Sequence, residues 1–536
     1  MKFFLGAVFL VTPMLAAVPG LSSIVKIESG WIAGSGTAVR AYKGIPYAAS
    51  TAGDLRWKPP QPPKSWKGIR VARNFPDNCP QMPMVPGPQS EDCLGLNVWT
   101  PARTAMDKLP VMVWIHGGGF QIGASSQSAY DGEPLAAQGV VLVTINYRLG
   151  IFGFLAHPAL DSESPQGVSG NYGLLDMVAA LGWVKRNIAE FGGDPDNVTI
   201  FGESAGGTAV CLLMVMPQAE GLFQRVISES AAWMFGPISN LKESWYGRVP
   251  MMQFGEKLGT DLATLRARTT AEILKTLPPP MARNEAADRG EAYMPVVDGW
   301  VLPDDPARLF PAGKFHHVAL LAGTNADEGT LLGGPRVRTI EQLRKWAQDK
   351  VGARTDTFLT LYPAATDADA YGAAVQATGD LTFLYGTRSI LRGAARSNPQ
   401  TFQYQFTRVN GVGRRIKWGS FHASEIPYVF ETLPDSVYGT GPELFGDFSV
   451  DADTYNEQDA RLSAAMSAAW VAFAKTGSPN GPQLTLWPPF SAGKESYMEF
   501  GDRIVAKEAL RKNQIDFMSD FSEGLRSRGT ASTGGR

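Results

Sequence analysis

Apolar residues along this chain fall into two alternating rhythms once residue 110 is passed. Runs such as Val111-Met112-Val113-Trp114-Ile115 and Val140-Val141-Leu142-Val143-Thr144-Ile145-Asn146 are apolar almost throughout, as in central strands covered on both faces. Residues 174–191 instead place Leu175, Val178, Leu181, Ile188 and Phe191 on or near one helical face. Gly192-Gly193-Asp194-Pro195 stops that helix before a further strand at Asn197. More strands are predicted at 225–230, 318–323 and 403–406. This β-α-β order predicts the α/β class, with a large, mostly parallel central sheet and helices on both faces. The first hundred or so residues are different, with short β-like pieces and Pro59-Pro60-Gln61-Pro62-Pro63, and predict a small N-terminal β-sheet plus loops. Residues 242–292 also break the rhythm and contain Pro278-Pro279-Pro280, as a cap-like insertion that shapes a pocket would. With no internal repeat, residues 23–523 read as one large domain.

The ends follow other rules. Met1-Lys2 precedes Phe3-Phe4-Leu5-Gly6-Ala7-Val8-Phe9-Leu10-Val11 and then small residues, which reads as a secretory signal over residues 1–22 and a secreted or periplasmic product. A buried first strand is the alternative reading. The apolar run is short and broken by Pro13, and no other segment has the length or purity of a membrane span, so no stable membrane anchor is expected. Residues 524–536, polar and rich in Gly, Ser and Thr, read as a flexible tail. The 536 residues carry 49 Lys plus Arg against 51 Asp plus Glu, a formal charge of −2, so no global basic field favours nucleic acid. Of the three cysteines, Cys79 and Cys93 bracket a Pro-rich loop and could bond in an oxidising compartment, or stay as two reduced thiols. Cys211 reads as a small buried hydrophobe, and none of the three has metal-ligand spacing, so neither metal nor cofactor is expected.

Candidate chemistry centres on Phe201-Gly202-Glu203-Ser204-Ala205-Gly206-Gly207. A β-branched run feeds into a serine with glycine two residues away on each side, the G-x-S-x-G nucleophile elbow. Such a turn holds the serine in a strained conformation with its hydroxyl outward, and the helix that follows aims its N-terminal amides where negative charge develops. In a chain with 58 glycines the pattern alone proves little. An acyl-transfer serine also needs a base, an orienting acid and oxyanion donors. His116-Gly117-Gly118-Gly119-Phe120 follows the strand ending at Ile115, and its glycines let backbone N–H groups approach a substrate oxygen, with Ala205 N–H completing the hole. His116 reads as shaping that loop. Of the five histidines, His157 lies in a loop before Ser204, and His316 and His317 precede a strand on the side away from the chemistry. His422 is left as the base. The order serine, acid, histidine puts the acid after the strand at 318–323, where Asp327-Glu328-Gly329 offers two carboxylates that spacing does not separate.

At this point the chain resembles the type-B carboxylesterases, the family that includes the cholinesterases. The similarity rests on Gly44-Ile45-Pro46-Tyr47-Ala48, Arg56-Trp57, Glu91-Asp92-Cys93-Leu94-Gly95-Leu96-Asn97-Val98, the 117–120 loop, Asn146-Tyr147-Arg148, Gly170-Asn171-Tyr172-Gly173-Leu174-Leu175-Asp176 and the elbow. Pro295-Val296-Val297-Asp298-Gly299, Asp327-Glu328-Gly329 and Phe421-His422 extend it. The resemblance implies an α/β-hydrolase fold, a small-molecule ester substrate and a triad of Ser204, Glu328 and His422. It implies an oxyanion hole from Gly118, Gly119 and Ala205, and a Cys79–Cys93 disulfide. It also implies that Ser230 supports the triad, although Glu229-Ser230-Ala231 departs from the family's Gln-Ser-Gly; Glu203, next to the nucleophile, is grouped with it. Cholinesterases carry a tryptophan for quaternary ammonium within a longer first disulfide loop. Residues 80–92 contain no aromatic residue, so choline esters are not expected as substrates.

Arg408, Arg414, Arg415 and Lys417 cluster upstream of His422. A solvated charged segment is the plain reading; the sharper one is a substrate rim that favours esters carrying a carboxylate. A catalytically silent adhesion or interaction protein of the same fold is the alternative function. It would be marked by a missing triad position, whereas all three are kept here.

Overall fold

The computed structural model describes residues 23–232, 238–259, 261–277, 293–330, 337–433, 449–451, 454–482 and 484–531. The expected signal segment lies outside them, as do residues 278–292 at the end of the expected cap. A small sheet orders β1 (Ile24–Ile27), β2 (Gly30–Ala33) and β4 (Ile69–Val71) side by side. The ten-stranded sheet contains β3 (Arg40–Pro46), β5 (Gly95–Thr100), β6 (Leu109–Ile115), β7 (Val141–Ile145), β8 (Gly193–Glu203) and β9 (Arg225–Glu229). It is completed by β10 (Ala319–Asn325), β11 (Thr401–Phe406), β12 (Ser496–Phe500) and β13 (Ile504–Glu508). Its order is β13-β12-β11-β10-β9-β8-β6-β7-β5-β3. The run from β12 to β7 is parallel, while β13 at one edge and β5 and β3 at the other pair antiparallel.

Strand β6 shows why these apolar runs need cover on both sides. Val111, Val113 and Ile115 enter the core on one face, with Trp183 and Val184 of the helix Tyr172–Asn187. Met112 and Trp114 enter a separate core on the other face, with Trp470 and Phe473 of the helix Glu457–Thr476. A period of two therefore divides one strand between two cores. The helix expected at 174–191 runs Tyr172–Asn187 and tightens to a 3₁₀ turn, Ile188–Phe191, before Gly192 turns left-handed at φ 77°.

Three expectations change. The short strands before residue 100 do not all join the small sheet: β3 and β5 extend the large one as its antiparallel edge, with a register shift between Tyr42 and Ile45. The helix Lys512–Ala531 continues through most of the segment expected as a tail from 524. The described part of 242–292 is docked on the body through three short helices, Met251–Glu256, Leu262–Ala267 and Thr270–Lys275. Arg56 ties it down by donating to the carbonyls of Arg266 and Arg268 at 2.9 and 2.7 Å.

The strand-to-helix turn at Ser204 depends on close backbone contact. A Cβ on Gly206 would lie 1.9 Å from the carbonyl oxygen of Ile115, and one on Gly202 2.5 Å from the same atom. Gly206→Ala should therefore lower stability by about 3 kcal/mol or more, because backbone on both sides must move. Gly372→Ala, at an exposed helical position with nothing within 4 Å, should gain about 0.5 kcal/mol. Urea midpoints measure both, and a wild-type midpoint for Gly206→Ala would refute the contact argument.

Candidate active site

Ser204 follows β8 at φ 57° and ψ −121°, a conformation that L-residues rarely adopt, and it remains partly exposed. Its N–H donates to the Glu229 carbonyl of β9 at 2.9 Å, and its carbonyl accepts from Thr208 N–H at 2.8 Å, the first bond of the helix Ala205–Leu213. The glycine loop after β6 comes against it: a Cβ on Gly117 would lie 3.1 Å from the Ser204 Cβ. Gly118 and Gly119 have φ values of 104° and 62°, open to glycine, and a Cβ on Gly119 would meet no atom within 4 Å. The loop is held from below by His116, whose ring stacks on Tyr147 at 4.5 Å, while Tyr147 Oη donates to the His116 carbonyl at 2.8 Å. Burial pushes the His116 imidazole down to about 4, so it stays neutral and structural.

The other histidines separate clearly. His157 caps a helix by accepting from Ala159 N–H and contacts the Gly259 carbonyl at 2.8 Å. His316 and His317 contact the Met216 carbonyl and Ser397 Oγ. Of the five histidines His422 alone meets acids: its Nδ1 lies 2.5 Å from Glu328 Oε2, and its Nε2 lies 3.0 Å from Glu203 Oε1, on the residue before Ser204. Glu328 is itself fixed, since its Oε1 accepts from Ser230 Oγ at 2.5 Å and from Asn325 N–H at 2.7 Å. The two carboxylates that spacing left unseparated have different partners. Asp327 accepts from Ser420 N–H at 2.8 Å and staples the loop that carries His422, while its neighbour reaches the imidazole.

The surroundings contain more acid than the sequence reading named. Glu229 is fully buried, accepts from Trp470 Nε1 at 2.8 Å and leaves Oε2 without a hydrogen-bond partner. Glu425 accepts from Asn325 Nδ2 at 2.5 Å and leaves Oε1 likewise. Burial pushes the carboxyls of Glu203 and Glu229 well above the usual range and Glu425 up to about 7. Burial also opposes charge on His422, but the fields of Glu203 and Glu328 outweigh it and hold the imidazole up at about 9. The sequence offered two signals for these acids, the departure at Glu229-Ser230-Ala231 and a glutamate three residues past His422.

The cations upstream of His422 are dispersed. Arg408 turns inward, 6% exposed, and forms ion pairs with Asp459 at 2.7 Å and Asp502 at 2.6 Å; it is not part of a free rim. Arg415 faces Asp451 at 3.3 Å, while Arg414 donates to the Val409 carbonyl at 2.7 Å. Arg414, Arg415 and Lys417 are all exposed. Cys79 and Cys93 are bonded, with Cα atoms 5.0 Å apart, and Cys211 is a buried free thiol. Among the described residues, no group of three or more His, Cys, Asp or Glu could hold a metal ion, and no helix is long and apolar enough to cross a membrane.

With the site in view, comparison with known proteins becomes informative. The profile of the carboxylesterase family matches residues 21–518. The chain belongs to the carboxylesterase family. It is a carboxylic ester hydrolase with the α/β-hydrolase fold. Among carboxylesterase relatives, it is 39% identical over 515 residues to the fumonisin B1 esterase of Sphingopyxis macrogoltabida, covering 95% of this chain and 91% of that one. It is 35% identical over 483 residues to the para-nitrobenzyl esterase of Bacillus subtilis, covering 87% and 92%. A solved PNB esterase structure superposes with a TM-score of 0.76 at 32% identity, over 92% of this chain and 99% of that one.

The electrostatics make a prediction in a Ser204→Ala background, where no turnover intervenes. The His422 imidazole, followed by NMR, should titrate near 9 rather than at the ordinary 6.5. Glu203→Gln removes the largest raising field, so the titration should move to lower pH. No movement, or a rise, would show that Glu203 carries no charge that His422 feels.

Proposed function

We propose that this carboxylesterase works through an acyl-enzyme on Ser204. What carries the reading is a strained, partly exposed serine against a glycine loop, together with a His422–Glu328 pair 2.5 Å apart whose Nε2 lies 3.0 Å from Glu203, the residue before that serine. Ser204 attacks the ester carbonyl while His422 takes its proton, and Glu328 orients the imidazole and favours its charged form. The N–H groups of Gly118, Gly119 and Ala205 receive the oxyanion. His422 then returns the proton to the leaving alcohol, and water repeats the sequence on the acyl group. His422 must be neutral to accept the proton, so the raised imidazole favours turnover at alkaline pH. Ser230 holds the far oxygen of Glu328, and Glu203 adds to the field at His422.

For substrate, we carry forward a preference for esters bearing a carboxylate, now on a reduced set of cations. Arg408 is neutralised in the interior and Arg415 is engaged by Asp451, which leaves Arg414 and Lys417 as the exposed charges for such an anion. Relatives named for fumonisin B1 and para-nitrobenzyl esters support a small-molecule ester over a polymer. We also propose export with removal of a signal within residues 1–22, which agrees with a disulfide between Cys79 and Cys93.

Two measurements test this. Ser204→Ala should fold as wild type and lose about 10⁴-fold or more in kcat on p-nitrophenyl acetate; retained activity would sink the nucleophile assignment. For matched neutral and carboxylated esters at low salt, kcat/KM should favour the carboxylated one and the advantage should fall in Arg414→Ala and Lys417→Ala. Equal values for the two esters in the wild type would remove the preference.

A further inference from the structure

A π-helical turn interrupts the helical run that packs on the Glu328 segment. The helix Asp367–Gly379 passes into the π-turn Asp380–Leu384, closed by Tyr385 N–H on the Asp380 carbonyl, and resumes as Tyr385–Ala394. Such a turn has poorer hydrogen-bond geometry than the α-helix around it and re-aims the side chains that follow, so it persists where its surroundings hold it. Here the buried carboxylate of Asp380 accepts from Tyr362 Oη at 2.7 Å and from Arg511 Nε at 2.8 Å. On the other side, helix backbone lies directly against the acid segment. A Cβ on Gly329 would lie 2.2 Å from the Val375 carbonyl oxygen, and one on Gly379 3.3 Å from the Glu328 Cβ.

The consequence appears at His422. Phe383, in the π-turn and 1% exposed, sets its ring 4.7 Å from the imidazole, centroid to centroid, at a 40° tilt. Glu328 and Glu203 touch the imidazole only at its two nitrogens. The imidazole can swing about its Cβ–Cγ bond, which would carry both nitrogens out of these in-plane contacts. A wall against one face opposes that swing. An aromatic ring serves well, because it offers no hydrogen bond to compete with the triad and keeps water from the face it covers.

We propose that the π-turn, locked by Arg511, Asp380 and Tyr362, is a positioning element of the triad: it lays Phe383 on the face of His422 and Gly379 against Glu328, so that the imidazole holds one orientation while its proton moves. Phe383 is then a positioning residue that acts through His422. The proposal rests on the triad reading above, and its test is built to fail separately.

The test measures kcat and KM on p-nitrophenyl acetate, with the concentration of competent sites counted by a fluorophosphonate that reacts with the nucleophile. Phe383→Leu, which removes the flat wall, should lower kcat per titrated site about 10-fold or more while KM stays within about twofold. Asp380→Asn lies away from the imidazole and keeps the side-chain shape, and it should give the same signature at smaller size. Unchanged kcat in both variants overturns the proposal, as does a raised KM with kcat intact, which would put Phe383 against substrate. Should Phe383→Leu give no soluble protein, Asp380→Asn decides alone, and wild-type kcat there overturns it. A wild-type enzyme that neither turns over nor reacts with the phosphonate would refute the triad reading instead.

Discussion

The close approach of three strands at Ser204 governs much of this molecule. Ile115 at the end of β6 presents its carbonyl where Gly202 and Gly206 pass, and the Glu229 carbonyl of β9 receives Ser204 N–H. No side chain fits between those backbones, so the turn has few alternatives to the left-handed serine at φ 57°. The energy that holds such strain comes from elsewhere. β6, β8 and β9 are central strands, buried on both faces, and moving them would disturb two cores at once. A strained residue persists when its surroundings over-determine it, and here a ten-stranded sheet does so.

Beneath the elbow lies a second constraint, electrostatic rather than steric. Glu203, Glu328 and Glu425 surround one buried imidazole, and Glu229 lies within the field of Glu203 and Glu425. Burial raises the carboxyls of Glu203, Glu229 and Glu425. Glu328, with Ser230 Oγ, Asn325 N–H and His422 around it, is the best served. Glu229 and Glu425 each keep an oxygen without a partner. The donors that serve these acids come from different strands and loops around the sheet.

The same reasoning explains what the sequence could and could not reveal. The central parallel strands were legible where cover on both faces makes them uniformly apolar, as β6 and β7 are, whereas β12, also in the parallel run, was not predicted. The edge strand β13 was not, since four of its five residues face solvent, Lys507 pairing with Glu499 on β12. Nor was the π-turn, whose existence depends on Tyr362 and Arg511, distant in the chain. At the site, the elbow and the glycine loop announced themselves through backbone requirements that only glycine meets. Two adjacent carboxylates, Asp327 and Glu328, needed the positions of Ser420 and His422 to be told apart. Arg408 was misjudged for a related reason, because its partner Asp459 is 51 residues away and a charge in sequence looks solvated until its partner is found.

Loops build half of this site, and loops are ordinarily poor at holding precise geometry. The structure answers by binding each loop to something stiffer. Gln81, two residues past Cys79, donates to the Gly123 carbonyl and accepts from Gly123 N–H, both at 2.8 Å, so the disulfide-closed loop grips the far end of the glycine loop reciprocally. Gly123 in turn lies so near His116 that a Cβ would meet its Nδ1 at 2.3 Å. The loop bearing His422 is joined to the end of β10 by the two bonds between Asp327 and Ser420. Precision at the reacting atoms is therefore inherited from the sheet through these short polar connections. The exposed residues Arg414 and Lys417 lie beyond those connections, where side chains can vary without disturbing the elbow. Substitution at those exposed positions therefore leaves the buried connections under the elbow intact.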